Sequence, residues 1–302
     1  MLQSPVVTIG NFDGLHLGHQ ALIQRCRLLA DTKSNDEARP IALVTFEPLP
    51  AAWFRPDDAP ARLMSVRQKL TYLGNEGIDL VWMMRFNQSL AAMSAEKFVQ
   101  SVLVDVLDAA YVVVGEDFHY GKARKGNTDT LRQAGEKFGF GLNTVAMIDV
   151  DGKRASSTNI RECLLAGELQ EVSLLLGRPY RTQGRVIHGR QLGRKLGYPT
   201  ANMPLAASPS PLNGIFAVRA RWGESGWRNG VANLGTRPAV GGEGFLVEVH
   251  LFDFDGDLYG RQMEVEYVKK LRDEEHFKDL DDLIRQMRED ERLAREYLRD
   301  MN

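Results

Sequence analysis

The segment Thr8-Ile9-Gly10-Asn11-Phe12-Asp13-Gly14-Leu15-His16-Leu17-Gly18-His19 leaves few options for the chain around it. The apolar run Val6–Ile9 reads as a buried strand, and the residues after it pass through a turn into an amphipathic helix. Gly10, Gly14 and Gly18 permit a tight backbone path and close ligand approach. A helix beginning near Leu17 points its unpaired N–H groups and the positive end of its dipole at an anion, with His16 and His19 flanking that end. Two imidazoles beside free N–H groups can stabilise a phosphate that gains charge during displacement, with no covalent step. A zinc pair is disfavoured, since no third His, Cys or carboxylate stands at ligand spacing. Surface histidines are the plain alternative. A P-loop is excluded, since G-x-x-x-x-G-K-[ST] does not occur.

The same alternation continues. Ile41–Phe46, Leu80–Met84 and Tyr111–Gly115 read as strands, and Val66–Gly74, Ala95–Leu107 and Thr128–Phe138 as helices. Strands alternating with helices predict βαβ units on a parallel sheet, with ligands beyond the C-terminal strand edges. After a helical stretch over Ser156–Gly177 the pattern changes. Gly184–His188, Gly214–Trp222, Gly230–Leu234, Phe245–Phe254 and Gln262–Leu271 predict a compact antiparallel sheet or barrel, followed by a charged helix over about Leu280–Leu298 with Leu283, Met287 and Leu298 as a candidate docking stripe. The expected boundary lies near Pro179–Gly184, giving domains 1–180 and 181–302.

In the second half, the run from Gly184 to Asn202 is rich in Gly and Arg and includes Gly189, Gly193 and Arg194. Alone, such a loop is a weak sign of anion binding. Its ending, Pro199-Thr200-Ala201-Asn202, offers a hydroxyl and an amide oxygen two residues apart, which suit a Mg²⁺ held chiefly by phosphates and water. A turn with an Asx cap is the bland reading. In Phe245–Phe254, alternation puts Leu246, Glu248, His250 and Phe252 on one face and Phe245, Val247, Val249 and Leu251 on the other, which reads as core.

With 302 residues, 38 Lys+Arg and 40 Asp+Glu, the chain carries a net charge of −2 and no global basic field, so a nucleic-acid partner is not expected. No apolar run approaches a membrane span, and Met1–Pro5 lacks a signal peptide's basic start. Cys26 and Cys163 stand in separate helical contexts and propose no disulfide, which fits a reducing cytoplasm.

The His-x-Gly-His arrangement resembles the nucleotidylyltransferase superfamily. Its longer form resembles the adenylyltransferase module of the prokaryotic bifunctional riboflavin kinase/FAD synthetases. Thr45-Phe46-Glu47-Pro48 fits the next motif, with Leu49 where the family usually has His. Val114–Gly121 with Gly126-Asn127 fits another, and Ser156–Arg161 a third, with Asn159 where a basic residue is common. The Gly184–Asn202 run, Gly214-Ile215-Phe216, Asn233–Pro238, Val247–His250 and the Arg272, Glu274, Phe277 set resemble the riboflavin kinase module.

The resemblance implies a Rossmann-like domain followed by a β-barrel, ATP as co-substrate with Mg²⁺, and riboflavin, FMN and FAD as partners. It implies Gly10, Asn11, Phe12, Asp13, Gly14, Gly18, Ser157, Thr158, Gly189, Gly193 and Arg194 as nucleotide contacts. Asp117, Asn233, Arg237 and Arg272 become flavin contacts, and Thr200 and Asn202 metal ligands. His16, His19 and Arg161 serve adenylyl transfer, Arg161 as a bidentate donor to phosphate oxygens. Glu248 becomes the base at the ribityl hydroxyl. His250 is expected to be structural.

Overall fold

A computed structural model of the chain describes residues 4–31, 38–189, 193, 196–205, 210–239 and 242–301, apart from the side chains of 236–239, 242–244 and 300. The strands are β1 Val6–Ile9, β2 Ile41–Glu47, β3 Leu80–Arg85, β4 Tyr111–Gly115, β5 Gly141–Val145, β6 Asp149–Val150, β7 Lys153–Arg154, β8 Arg181–Arg185, β9 Ala201–Pro204, β10 Gly214–Trp222, β11 Arg228–Ala239, β12 Gly242–Leu251 and β13 Gln262–Arg272. The helices are α1 Leu17–Ala30, α2 Pro50–Phe54, α3 Val66–Asn75, α4 Gln88–Ala91, α5 Ala95–Phe98, α6 Thr128–Phe138, α7 Ser157–Ala166, α8 Leu169–Leu176 and α9 Leu280–Leu298. They gather into two compact units, Met1–Pro60 with Val66–Ser156, and Ala61–Ser65 with Ser157–Asn302.

The first unit is a five-stranded parallel sheet in the order β3-β2-β1-β4-β5. All four residues of β1 are buried, as are Val112, Val113 and Val114 of β4, because helices cover both faces of such a sheet. Helix α1 packs on it through Leu22, Ile23, Cys26 and Ala30, one helical stripe. Burial pushes the Cys26 thiol up to about 12, so this cysteine is an inert core residue. From β1 the chain builds outward through β2 to β3, then returns to add β4 on the other side. The crevice beyond the C-terminal ends of β1 and β4 is thus a switch point, where open α/β sheets bind ligands.

Two local readings change. The helix expected over Ala95–Leu107 is α-helical only through Phe98 and continues as a π-helical stretch, Val99–Val104. The stretch expected over Ser156–Gly177 is two helices broken at Gly167, whose φ of 76° is left-handed.

In the second unit, six antiparallel strands run in the order β8-β13-β10-β11-β12-β9. A bridge between Ile187 and Asn202 ties the two ends of the row together, so the sheet nearly closes into a barrel. Phe216, Val218, Leu234, Val247, Val249 and Val265 fill it. Strand β8 lies three residues earlier than expected, at Arg181–Arg185. Strand β12 ends at Leu251, so Phe252 leaves the face of Glu248 and is buried with Ala217, Ala294 and Leu298 beneath α9. Leu298 of the expected stripe thus docks the helix, while Leu283 and Met287 line a cavity.

Candidate functional site

The glycine–histidine turn follows β1 at the switch point. Just past β1, Gly10 N–H is spent on Val44 O at 3.1 Å, so that N–H is not offered to a ligand. Phe12, Gly14 and Leu15 all have left-handed φ, at 47°, 86° and 47°. Only glycine adopts that region without cost, and such strain in non-glycine residues gathers at functional sites. Phe12 is fully buried, with its ring centroid 4.9 Å from that of His19, so what it offers a ligand is backbone. Asp13 is buried as well, whereas Asn11 is exposed.

His16 caps α1, its Nδ1 accepting from His19 N–H at 3.4 Å, and the two imidazoles stack with centroids 3.7 Å apart. A side chain at Gly18 would press into the His16 ring at 3.1 Å and the Ala155 carbonyl at 3.2 Å, so the missing Cβ is what lets the imidazole lie over the helix start. The structure therefore brings the two histidines and the first-turn N–H groups of α1 to one place, an arrangement suited to a phosphate.

The loop after β4 meets the same crevice. Asp117 is exposed and holds Arg154 at 2.5 Å, and its carbonyl lies 2.8 Å from His119 Nδ1. Asn127 plays a structural part, forming the capping box of α6 together with Thr130. In the second unit, Ser157 and Thr158 stand inside the first turn of α7, with Ser156 ahead of them. Arg161 Nε donates to Ala61 O at 2.5 Å.

Two cavities of the barrel meet at Thr200. One, of about 410 Å³, is bounded by Val186, Pro199, Thr200, Asn202, Asp257 and Tyr259. His188 stacks on Tyr259 at 3.7 Å. The other, of about 550 Å³, has Ile215, Val231, Phe277, Leu283 and Met287 as apolar wall and Thr200, Asn233, Glu248 and Arg272 as polar groups. That size and lining suit a small organic ligand.

Sheet register explains the polar row. Glu248 on β12 stands opposite Asn202 on β9 and Asn233 on β11, and directly opposed residues share a face. Asn233 Oδ1 is buried without a hydrogen-bond donor, a gap that a bound ligand can fill. Asn202 Nδ2 donates to Thr200 O at 3.2 Å, and a Cβ at Gly189 would collide with the Asn202 amide at 2.5–2.7 Å. Among the described residues, no group of three His, Cys, Asp or Glu can hold a metal ion. Thr200 and Asn202 carry neutral oxygens, the donor type that fits a hydrated Mg²⁺ held chiefly by phosphates.

Arg272 is largely buried. Its Nε and Nη2 bond both oxygens of buried Asp290 on α9, at 2.9 and 2.7 Å, and its guanidinium lies over Phe277. Sequence reading missed Asp290, which is one of many carboxylates on a charged helix. His250 Nδ1 contacts Pro199 O at 2.9 Å, a structural tie within the Thr200 corner. Gly193 borders the larger cavity. Arg194 lies outside the described residues, and of Arg237 only the strand backbone is described.

The FAD synthetase family profile matches residues 1–159 and the riboflavin kinase profile residues 176–298. The bifunctional riboflavin kinase/FMN adenylyltransferase of Haemophilus influenzae is 41% identical, covering 98% of this chain and 95% of that protein. Its namesake from Pseudomonas fluorescens is 44% identical, covering 96% and 92%. A crystal structure named as a macrolide-efflux protein from Streptococcus pneumoniae superposes with a TM-score of 0.80 at 29% identity, over 97% of this chain and 94% of that one. No helix among the described residues is long and apolar enough to cross a membrane. With both halves matched and these relatives alike over more than nine-tenths of each chain, this chain belongs to the family of bifunctional riboflavin kinase/FMN adenylyltransferases.

Proposed function

We propose that the protein phosphorylates riboflavin with ATP to give FMN and ADP, then adenylylates FMN with a second ATP to give FAD and pyrophosphate. The observation that carries the reading is Thr200 as the common wall of the two barrel cavities. A nucleotide polyphosphate in the smaller cavity and a flavin in the larger would meet at that residue. The domain assignment is residues 1–180 for adenylyl transfer and 181–302 for the kinase, working in the cytoplasm.

In the kinase, Glu248 takes the proton of the ribityl hydroxyl as its oxygen attacks the γ-phosphorus and ADP leaves. Thr200 and Asn202 would hold Mg²⁺, which when bound neutralises phosphate charge. Asn233, Arg237 and Arg272 orient the flavin, and by resemblance to the family Gly189, Gly193 and Arg194 contact the nucleotide, Gly193 from the side of the larger cavity. Arg272 can do so because Asp290 fixes its guanidinium from α9. Asp290→Asn is expected to raise KM for riboflavin about tenfold, ~1.4 kcal/mol, with kcat changed less. An unchanged KM with a lowered melting temperature would give the pair a purely structural role.

In adenylyl transfer, an FMN phosphate oxygen attacks the α-phosphorus of ATP and pyrophosphate leaves. His16, His19 and the start of α1 stabilise the crowded α-phosphate, with Asn11, Asp13, Gly14 and Gly18 shaping the turn. Asp117 contacts the flavin. By resemblance to the family, Ser157 and Thr158 bind ATP phosphates and Arg161 draws on the leaving pyrophosphate. Riboflavin incubated with Mg²⁺ and ATP and resolved by chromatography should yield FMN first and FAD after it. Riboflavin left unchanged by folded protein would reject the reading.

A further inference from the structure

Lys69 is 3% exposed, and lysines are almost never so deeply buried unless something pairs with the ammonium. It sits on α3, a helix that the motifs of the sequence leave aside, and its Nζ donates to the backbone carbonyl of Asn11 at 2.8 Å. The Thr45 hydroxyl, on β2 and wholly buried, donates to the same carbonyl at 3.1 Å. One residue earlier, Gly10 N–H bonds Val44 O. Three hydrogen bonds on two consecutive residues therefore hold the chain where β1 becomes the turn.

A trans peptide sets its C=O and N–H on opposite sides. With the Asn11 oxygen drawn toward Lys69 and Thr45, the N–H of Phe12 faces the other way. Phe12 then adopts φ 47°, a conformation that a bulky side chain keeps only where its surroundings impose it. We propose that Lys69 is a positioning residue for adenylyl transfer: clamping the Asn11 carbonyl, it locks the left-handed turn that aims backbone N–H groups and His16 at the nucleotide phosphate. Its charge lies behind the peptide and acts through it, strengthening the bond to Asn11 as charged donors do. The inference rests on this turn being the adenylylation site.

The test uses the full chain. Lys69→Met keeps the stem and removes the charge, and both reactions are followed in one preparation. The expected result is a kcat for FMN-to-FAD conversion about 100-fold lower, on the scale of losing one preorganised donor. KM for ATP should change less than about threefold, the signature of an interaction that matters in the transition state. Phosphorylation of riboflavin should be unaffected, and Lys69→Arg should recover part of the loss. Wild-type kcat in folded Lys69→Met, or a raised KM with kcat intact, would overturn the inference.

If Lys69→Met does not fold, Thr45→Val carries the test, since it removes the second donor to the same carbonyl with little change of shape. A several-fold fall in kcat at an unchanged melting temperature supports the clamp, and an unchanged kcat overturns it. His16→Ala, assayed alongside, separates two failures. Should it still make FAD, the turn is not the adenylylation site. Should it lose FAD formation while Lys69→Met keeps it, only the role of Lys69 falls.

Discussion

Glu248→Gln is expected to lower the rate of FMN formation about a thousandfold, within the range that general bases supply, while FMN given to the same enzyme is still converted to FAD. Glutamine keeps the length and one acceptor oxygen of glutamate and loses only the ability to take a proton. Binding should therefore survive, with KM for riboflavin little changed and the loss confined to kcat. The position of the carboxylate supports that role. Val247 and Val249, its neighbours along β12, are buried in the barrel interior, so Glu248 projects from the opposite face into the larger cavity. Asn202 and Asn233 oppose it on the flanking strands, and Thr200 connects that cavity to the smaller one. A hydroxyl beside Glu248 would thus lie near the wall behind which the proposed polyphosphate sits. If folded Glu248→Gln made FMN within tenfold of the wild-type rate, Glu248 would not be the base. If it lost both reactions, the two-site scheme would fail with it.

How much of this could be read from sequence depended on whether the cause was local. The β1–turn–α1 unit was legible because a short buried run, three glycines and two histidines each act within a few residues of themselves. The alternation in β12 was legible for the same reason, and it separated Glu248 from Val247 and Val249 correctly. Its extent was not: Phe252 is turned inward by Ala294 and Leu298, residues of a helix about 40 positions later. Strand β9 escaped notice because Ala201–Pro204 has no strand-like pattern, and its pairing with β12 creates it. Likewise β5, with the sequence GLNTV, carries only two large apolar residues and is a strand because β4 lies beside it. Lys69 and Asp290 were invisible for another reason. Charged residues on amphipathic helices read as solvated, and only packing reveals that one binds the Asn11 carbonyl and the other Arg272. Segment Ala61–Ser65, which belongs to the second unit although it lies within the first by sequence, has no local signal at all.

His16→Ala should have the reverse effect of the glutamate substitution, cutting FAD formation from FMN about a thousandfold, as removal of a preorganised oxyanion donor can, and leaving riboflavin phosphorylation intact. Alanine, however, removes two things at once. His16 is also the N-cap of α1, and losing a cap costs about 1 kcal/mol of helix stability. The 3.4 Å bond from His19 N–H is long, so that share should be small, but it has to be separated from chemistry. His16→Asn does this, because asparagine is among the best N-cap residues and has no imidazole. The expected pattern is an asparagine variant that melts at or above the alanine variant yet is equally poor at making FAD. His19→Ala should show a comparable loss, since its ring stacks on His16 over the same helix start and the proposed scheme sets both on one phosphate. Restoration of FAD formation by asparagine to within tenfold of wild type would mean that His16 matters for holding α1 in place. The backbone N–H groups of the turn, kept in register from behind by Lys69 and Thr45, would then carry the phosphate without it.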